Sequence, residues 1–124
     1  ENKKVIISGH TADFHALDKP VLYILNNSKI ILKKNQLEKE LYKKLNKKKI
    51  NQNKIIQQIA KNNSILYIEK LNYACYMSKR ICYATDNNDN LINYDKTHIG
   101  IEGAKFFGES NYLLKIFSEL KSKF

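Results

Sequence analysis

The chain has 124 residues, 43% hydrophobic and 27% charged, which limits it to at most one domain of ordinary globular composition. Four Gly and one Pro exclude collagen- and mucin-like classes, and no apolar run approaches the roughly 20 residues of a membrane-spanning helix. The net charge of +10 sets 22 basic residues against 12 acidic ones, but Arg80 is the only arginine, so a specific nucleic-acid reader is not expected.

In chain order, Lys3-Lys4-Val5-Ile6-Ile7-Ser8-Gly9 is expected to be a short strand, its β-branched run suiting burial on both faces in a parallel sheet. His10 to Asn27 is a mixed stretch around Pro20, read as a loop with a short helical turn. A helical zone follows in two pieces. In the first, Leu37, Leu41 and Leu45 recur every four residues, with Glu38 and Glu40 early and Lys43 to Lys49 late, an order that complements a helix dipole. The second runs from about Asn51, a candidate N-cap, to Asn62 and carries Ile55, Ile56 and Ile59 on one face. Lys47-Lys48-Lys49 between them reads as solvated surface.

Ser64 to Glu69 is a second strand of the buried type, so strand, helix and strand suggest a crossover in a parallel sheet. Asp86 to Asn90 is a turn cluster, with Leu91 to Tyr94 as a short hairpin arm after it. Ile101 to Leu120 is helical, with an apolar stripe of Ala104, Phe107, Leu114 and Phe117, and with Gly108 and Asn111 as points of interruption. Two strands are too few for an independent sheet, and the chain starts at Glu1 without a leader pattern. The expectation is therefore an excerpt whose sheet is completed by further chain.

The stretch with chemical content is Tyr94-Asp95-Lys96-Thr97-His98-Ile99-Gly100-Ile101-Glu102-Gly103-Ala104. An Asp three residues before a His, on a turn entering a helix, can set its carboxylate against the imidazole, fix the tautomer and stabilise the imidazolium that forms on proton uptake. The same spacing also occurs where a turn Asp merely lies beside a surface His. Cys75 and Cys82 are the only cysteines, and no further Cys or His lies near them at zinc-like spacing.

Two other groupings imitate metal sites. His10, Asp13 and His15 are three potential ligands without a second cluster, better read as solvated or locally satisfied. Asp86-x-Asn88-x-Asn90 resembles the start of a calcium loop, but Leu91 stands at the required Gly position and Thr97 at the bidentate Glu position. No metal and no cofactor is expected. Ser8, at a strand end before Gly9-His10, lacks a nucleophile-elbow pattern and reads as a turn-satisfying Ser.

The Asp95 to Ala104 segment resembles the C-terminal block of SGNH (GDSL-like) hydrolases, in which an Asp-x-x-His-Leu motif precedes the last helix. With the upstream strand–helix–strand, the Cys pair and the Asp86 to Asn90 turn, the chain is similar to the SGNH domain appended to membrane acyltransferases of bacterial envelope polysaccharides. The similarity spans about Lys3 to Phe107, and its specific part is Cys75 to Ala104. It implies an α/β, parallel-sheet three-layer SGNH/flavodoxin-like architecture, of which residues 1–124 are the C-terminal portion of a single domain. By the same resemblance His98 is the general base, Asp95 its orienting partner, Gly103-Ala104 the close-packed start of the last helix, and Cys75–Cys82 a disulfide. Ile99 replaces the family's Leu, and Gly100 stands where a capping Ser or Thr is usual.

No Gly-Asp-Ser nucleophile block and no oxyanion-hole Gly and Asn blocks are recognisable. The resemblance therefore implies acyl transfer, by a serine outside these residues, to hydroxyls of an envelope polysaccharide acceptor. A membrane acyltransferase domain in the same or a neighbouring chain would be the partner, the location extracytoplasmic, and the isolated chain nearly inactive. The alternatives are a piece of a stand-alone SGNH esterase or lipase, and a non-enzymatic Lys-rich binding module for anionic polymer or membrane.

Overall fold

The computed structural model describes residues 5–14, 19–93, 95 and 98–123. Lys3 and Lys4 of the first expected strand, His15 of the His/Asp trio, Tyr94 of the expected hairpin arm, and Lys96 and Thr97 lie outside them. The elements run β1 (Ile6–Ser8), α1 (Pro20–Asn27), α2 (Lys34–Lys43), α3 (Lys47–Asn62), β2 (Leu66–Ile68), a single turn α4 (Leu71–Ala74), β3 (Cys75–Tyr76), β4 (Ile81–Cys82), α5 (Ile101–Gly108) and α6 (Asn111–Lys123).

β1 and β2 pair in parallel, Ile6 with Leu66, Ile7 with Tyr67 and Ser8 with Ile68, and α3 packs on both. The strand–helix–strand expectation is met in this mixed α/β fold. Among the described residues the parallel sheet has two strands, short of a sheet held between two helical layers. Full burial of β1 is not met: Ile6 is 42% exposed, because a two-stranded sheet offers too little surface to cover both faces.

Local sequence accounts for most element boundaries. Pro20 opens α1, where its missing N–H would have had no intrahelical partner anyway. The short helical turn expected around Pro20 is thus a helix of two turns. α3 starts earlier than expected: its N-cap is Asn46, whose side chain accepts from the Lys48 N–H, and Asn51 lies inside the helix. Both asparagines have the chemistry of a cap, and a tertiary contact selects Asn46. The Asn46 N–H donates to the Asp13 carbonyl and its side-chain amide to the Asp13 carboxylate. Lys47 to Lys49 consequently form the first turn of α3 instead of a linker.

The expected isoleucine face of α3 is also corrected. Ile55 and Ile59 are 61% and 50% exposed, while Asn53 and Ala60 turn inward. Asn53 is drawn in by hydrogen bonds. Its carbonyl oxygen accepts from the His10 N–H at 2.7 Å, and its amide donates to the His10 carbonyl at 3.0 Å and the Glu69 carboxylate at 2.8 Å. Glu69 also accepts from the Tyr67 hydroxyl and the Leu71 N–H. The Tyr67 hydroxyl is pushed well above its ordinary range, by burial first and then by the bond to Glu69. Gly9 is the residue that fits here, since a β-carbon would overlap the Tyr67 hydroxyl and the Asn53 amide.

The apolar core gathers residues from α1, α2 and the segments around the hairpin. Val21 and Ile24 of α1 and Leu37 and Leu41 of α2 meet Phe14, Leu45, Ile92 and Phe107 around the β3–β4 hairpin. Leu41 is fully buried, a contribution of roughly 1.5–3 kcal/mol relative to exposure. Leu45 lies beyond the end of α2 and makes an antiparallel bridge to Phe14. The final helical stretch breaks after Gly108, as its sequence suggests. Its inward residues are Gly103, Phe107 and Ile116, whereas Ala104, Leu114 and Phe117 are exposed. The break restarts the helical phase, so one stripe cannot run through both pieces.

Replacing Asn53 by Leu leaves the His10 backbone groups without their partner and takes one of two donors from a Glu69 oxygen, which keeps the Leu71 N–H. Urea denaturation should show a loss of about 2–4 kcal/mol. A change below the error of the measurement would remove this network from the account of the fold.

Candidate functional site

The Asp95–His98 turn is reached by a ladder that starts at the Cys75–Cys82 disulfide. Cys75 pairs with Cys82 across the antiparallel β3–β4 hairpin, and both are buried. Arg80, the only arginine of the chain, takes a left-handed conformation at the hairpin turn, with φ of 55°. Pairing continues past the strands through the Tyr83 N–H to the Ala74 carbonyl and the Thr85–Leu91 bridge.

The Asp86 to Asn90 turn folds around the Asp86 carboxylate, which accepts from the N–H groups of Asn88 and Asn90 and from the Asn90 amide. The Asn90 side chain holds the Asp86 carboxyl below its ordinary value of 3.8, against the opposing effect of burial. The carboxylate therefore organises its own turn.

Ile92 is the pivot of the next step. It is fully buried, its N–H donates to the Ala84 carbonyl, and its carbonyl accepts from the Gly100 N–H at 2.9 Å. An Asn93–Ile99 bridge then closes the loop that carries Asp95 and His98. α5 leaves this loop at Gly100, its N-cap, and lays Gly103 directly on the Ile92 carbonyl, where a β-carbon has no room. The close-packed helix start expected at Gly103-Ala104 is thus found, with Gly103 as the residue in contact.

Within the loop, one Asp95 carboxylate oxygen accepts from the His98 N–H at 2.8 Å. The other lies 2.7 Å from His98 Nδ1. The first bond is the local capping geometry of an Asp three residues before its partner, and it aims the second oxygen at the ring. The Asp95 side chain is 32% exposed and that of His98 is 76% exposed, so the pair stands at the surface. With Asp95 ionised, Nδ1 is the protonated nitrogen and Nε2 the basic one.

Other candidates lie elsewhere. Ser8 is exposed at the end of β1, whose packing partners are β2 and α3. The Asp13 carboxylate is engaged by Asn46, and the His10 backbone by Asn53. Among the described residues no group of three His, Cys, Asp or Glu side chains could hold a metal ion.

The sequence reading did not single out Glu38 and Lys34 as partners of this region. Glu38 is buried against the hairpin, where desolvation pushes its carboxyl up while Lys34 and the Ala84 N–H oppose the shift. Lys34 Nζ donates to the Asp86 carbonyl at 2.7 Å. A Glu at the position after a stripe leucine was the available signal, but it reads first as surface. A cleft of about 660 Å3, lined by Tyr73, Tyr76, Tyr83, Phe106 and Tyr112 among others, opens between the hairpin and the α5–α6 corner. Its volume falls within the range of roughly 300–1,000 Å3 usual for small-molecule sites.

Comparison with family models, curated proteins and solved structures finds no match.

Two outcomes test this construction. Gly103→Ala should cost about 1–3 kcal/mol by pressing α5 off Ile92, whereas Gly108→Ala, which meets open space, should be neutral or gain up to about 1 kcal/mol. Thermal melts of both variants decide it, and equal effects would refute the Ile92 contact. Asp86 titrates lower in the fold than in the unfolded chain, so its contribution is complete above pH 3.8 and is lost as pH falls through the folded value. Melting temperature followed from neutral to strongly acid pH should fall less steeply in Asp86→Asn than in the parent, and parallel curves would contradict the assignment.

Proposed function

We propose that Asp95 and His98 are the orienting and basic members of a Ser-His-Asp acyl-transfer site, in the C-terminal portion of an SGNH-type domain. The observation that carries this reading is the two-point grip of Asp95 on His98, one carboxylate oxygen on the backbone N–H and the other on Nδ1. A carboxylate so placed holds the ring in the tautomer with a basic Nε2 and stabilises the imidazolium. The His98 side chain stands at the surface, 76% exposed.

In the proposed mechanism a serine supplied by sequence outside these 124 residues loses its proton to His98 and attacks the acyl carbonyl. The acyl group, acetyl in the simplest case, rests on that serine while the leaving group takes the proton back from His98. An envelope polysaccharide hydroxyl then gives its proton to the same nitrogen and attacks the acyl-enzyme, and the departing serine oxygen takes that proton back from His98. The chemistry requires no metal or organic cofactor. The donor arrives through a membrane acyltransferase domain, and the three-layer parallel sheet is completed by the chain that carries the serine.

Three features support the reading beside the Asp95–His98 geometry: the parallel β1–β2 pair, Gly103 at the start of α5, and the disulfide before the site. A disulfide suits an oxidising, extracytoplasmic setting.

The test is acyl transfer to polysaccharide by the complete protein. His98→Ala should lower kcat by about 10^4–10^6, and Asp95→Asn by about 10^4. Replacing Lys47, Lys48 and Lys49 by Ser should change it less than about twofold, since exposed charges away from the reacting groups contribute little. Undiminished transfer by His98→Ala, with loss in the lysine variant, would replace this reading by the non-enzymatic Lys-rich module. Robust esterase turnover by the 124-residue chain alone would overturn the assignment of the serine to other sequence.

A further inference from the structure

The segment between α1 and α2 carries an anomaly that neither the core nor the Asp95–His98 turn accounts for. Ile31 is 98% exposed and Ile30 65% exposed. The loop bearing them is pinned at both ends: the Ser28 hydroxyl donates to the Ile24 carbonyl at 2.7 Å, and Leu32 packs against the core. The two isoleucines are therefore held outward by an anchored loop. α1 extends the apolar surface, for it contains no charged residue. Val21 and Ile24 face the core, while Leu22, Tyr23 and Leu25 are 39%, 46% and 42% exposed. Single exposed apolar residues are ordinary, but five within ten residues, beside a helix without charge, form a patch that calls for a partner.

Along the segment that bears the patch, from Lys19 to Leu37, the charge is of one sign. Lys19, Lys29, Lys33 and Lys34 bracket it, and no acidic residue occurs from Lys19 to Leu37. Lys34 is engaged with the Asp86 carbonyl, whereas Lys19, Lys29 and Lys33 are exposed. We propose that the Ser28–Lys33 loop and the outward face of α1 seat on an anionic lipid bilayer, with Ile30 and Ile31 entering the acyl boundary and the lysines meeting the headgroups.

A bilayer fits better than a second copy of the chain, which would bring the same lysines against one another. Anionic headgroups supply a diffuse negative layer that long lysine side chains can meet without fixed geometry. Directly beneath it lies an apolar phase within reach of a side chain, at roughly 5–10 Å depth. Tyr23, apolar in its ring and polar at its hydroxyl, suits the boundary between the two. This surface is independent of the acyl-transfer reading.

The test is co-sedimentation of the 124-residue chain with vesicles of phosphatidylcholine mixed with phosphatidylglycerol, and with phosphatidylcholine alone. The chain should partition into the mixed vesicles at least about tenfold more strongly, as three lysines at about fivefold each allow. The Ile30→Ser/Ile31→Ser double variant, altered only at exposed positions, should bind at least about tenfold more weakly. Lys29→Glu/Lys33→Glu should lose at least as much, and His98→Ala nothing.

A control of equal charge change, Lys47→Glu/Lys48→Glu, separates this surface from the general attraction of a basic chain. An equal loss in that control, or undiminished binding by the isoleucine variant, overturns the proposal. So does absence of binding to the mixed vesicles. A vesicle-independent dimer, abolished by Ile30→Ser/Ile31→Ser, would assign the patch to a second copy and likewise overturn it.

Discussion

Asn53 is the side chain on which the parallel half of this structure depends. It lies on α3, is 2% exposed, and spends both amide hydrogens and its carbonyl oxygen on partners from two separate places in the chain, His10 and Glu69. It holds the turn after β1 through the His10 backbone and the turn after β2 through Glu69. A parallel pair has no tight turn of its own to set its register, so it relies on such cross-links from the connecting segment. The Glu69 carbonyl also accepts from the Tyr112 hydroxyl, which brings α6 to the same point. A buried polar group left without a partner costs about 1–3 kcal/mol, so the arrangement tolerates little displacement.

The Asp95–His98 turn is positioned by a different device. The disulfide hairpin, the Asp86-centred turn and the Ile92 backbone form successive steps, each of which limits the next. A disulfide closing so short a loop contributes roughly 2–3 kcal/mol in the chain-entropy account. Its larger consequence is geometric, since β4 leads directly into Ala84, whose carbonyl anchors Ile92. The Asp95–His98 pair is itself exposed, but it is mounted on the fully buried Ile92. Under the proposed acyl-transfer reading, rigid support beneath an open site is what proton transfer to an incoming hydroxyl would require.

Much of this was legible in the residues. The apolar runs before Gly9 and before Glu69 marked the two parallel strands, and Pro20 marked a helical start. Asp95 and His98 were identifiable as a pair because a three-residue spacing on a turn suffices to join carboxylate and imidazole. Other readings went astray where two positions had equal local merit. Asn46 and Asn51 are both competent caps, and only Asp13, more than thirty residues away, selects the first. The isoleucines of α3 predicted its buried face, but hydrogen bonding drew Asn53 inward and turned Ile55 and Ile59 outward. Glu38 was read only as an acidic residue suiting the start of its helix, because its neighbour in space, Ala84, is distant in sequence.

The sequence by itself determined the features that depend on neighbours along the chain: strand and helix segments, the Asp86 turn, and the Asp95–His98 pairing distance. Tertiary structure decided the features that depend on which surface meets which. It made Ile92 the pivot beneath the site, gave Gly103 its need for a missing β-carbon, and left Ile30 and Ile31 outside the core while Leu32 went in. The physical reason is range. Turn and capping bonds close within a few residues and can be read from spacing, whereas burial and the pairing of buried polar groups are settled between segments whose contact no local pattern encodes.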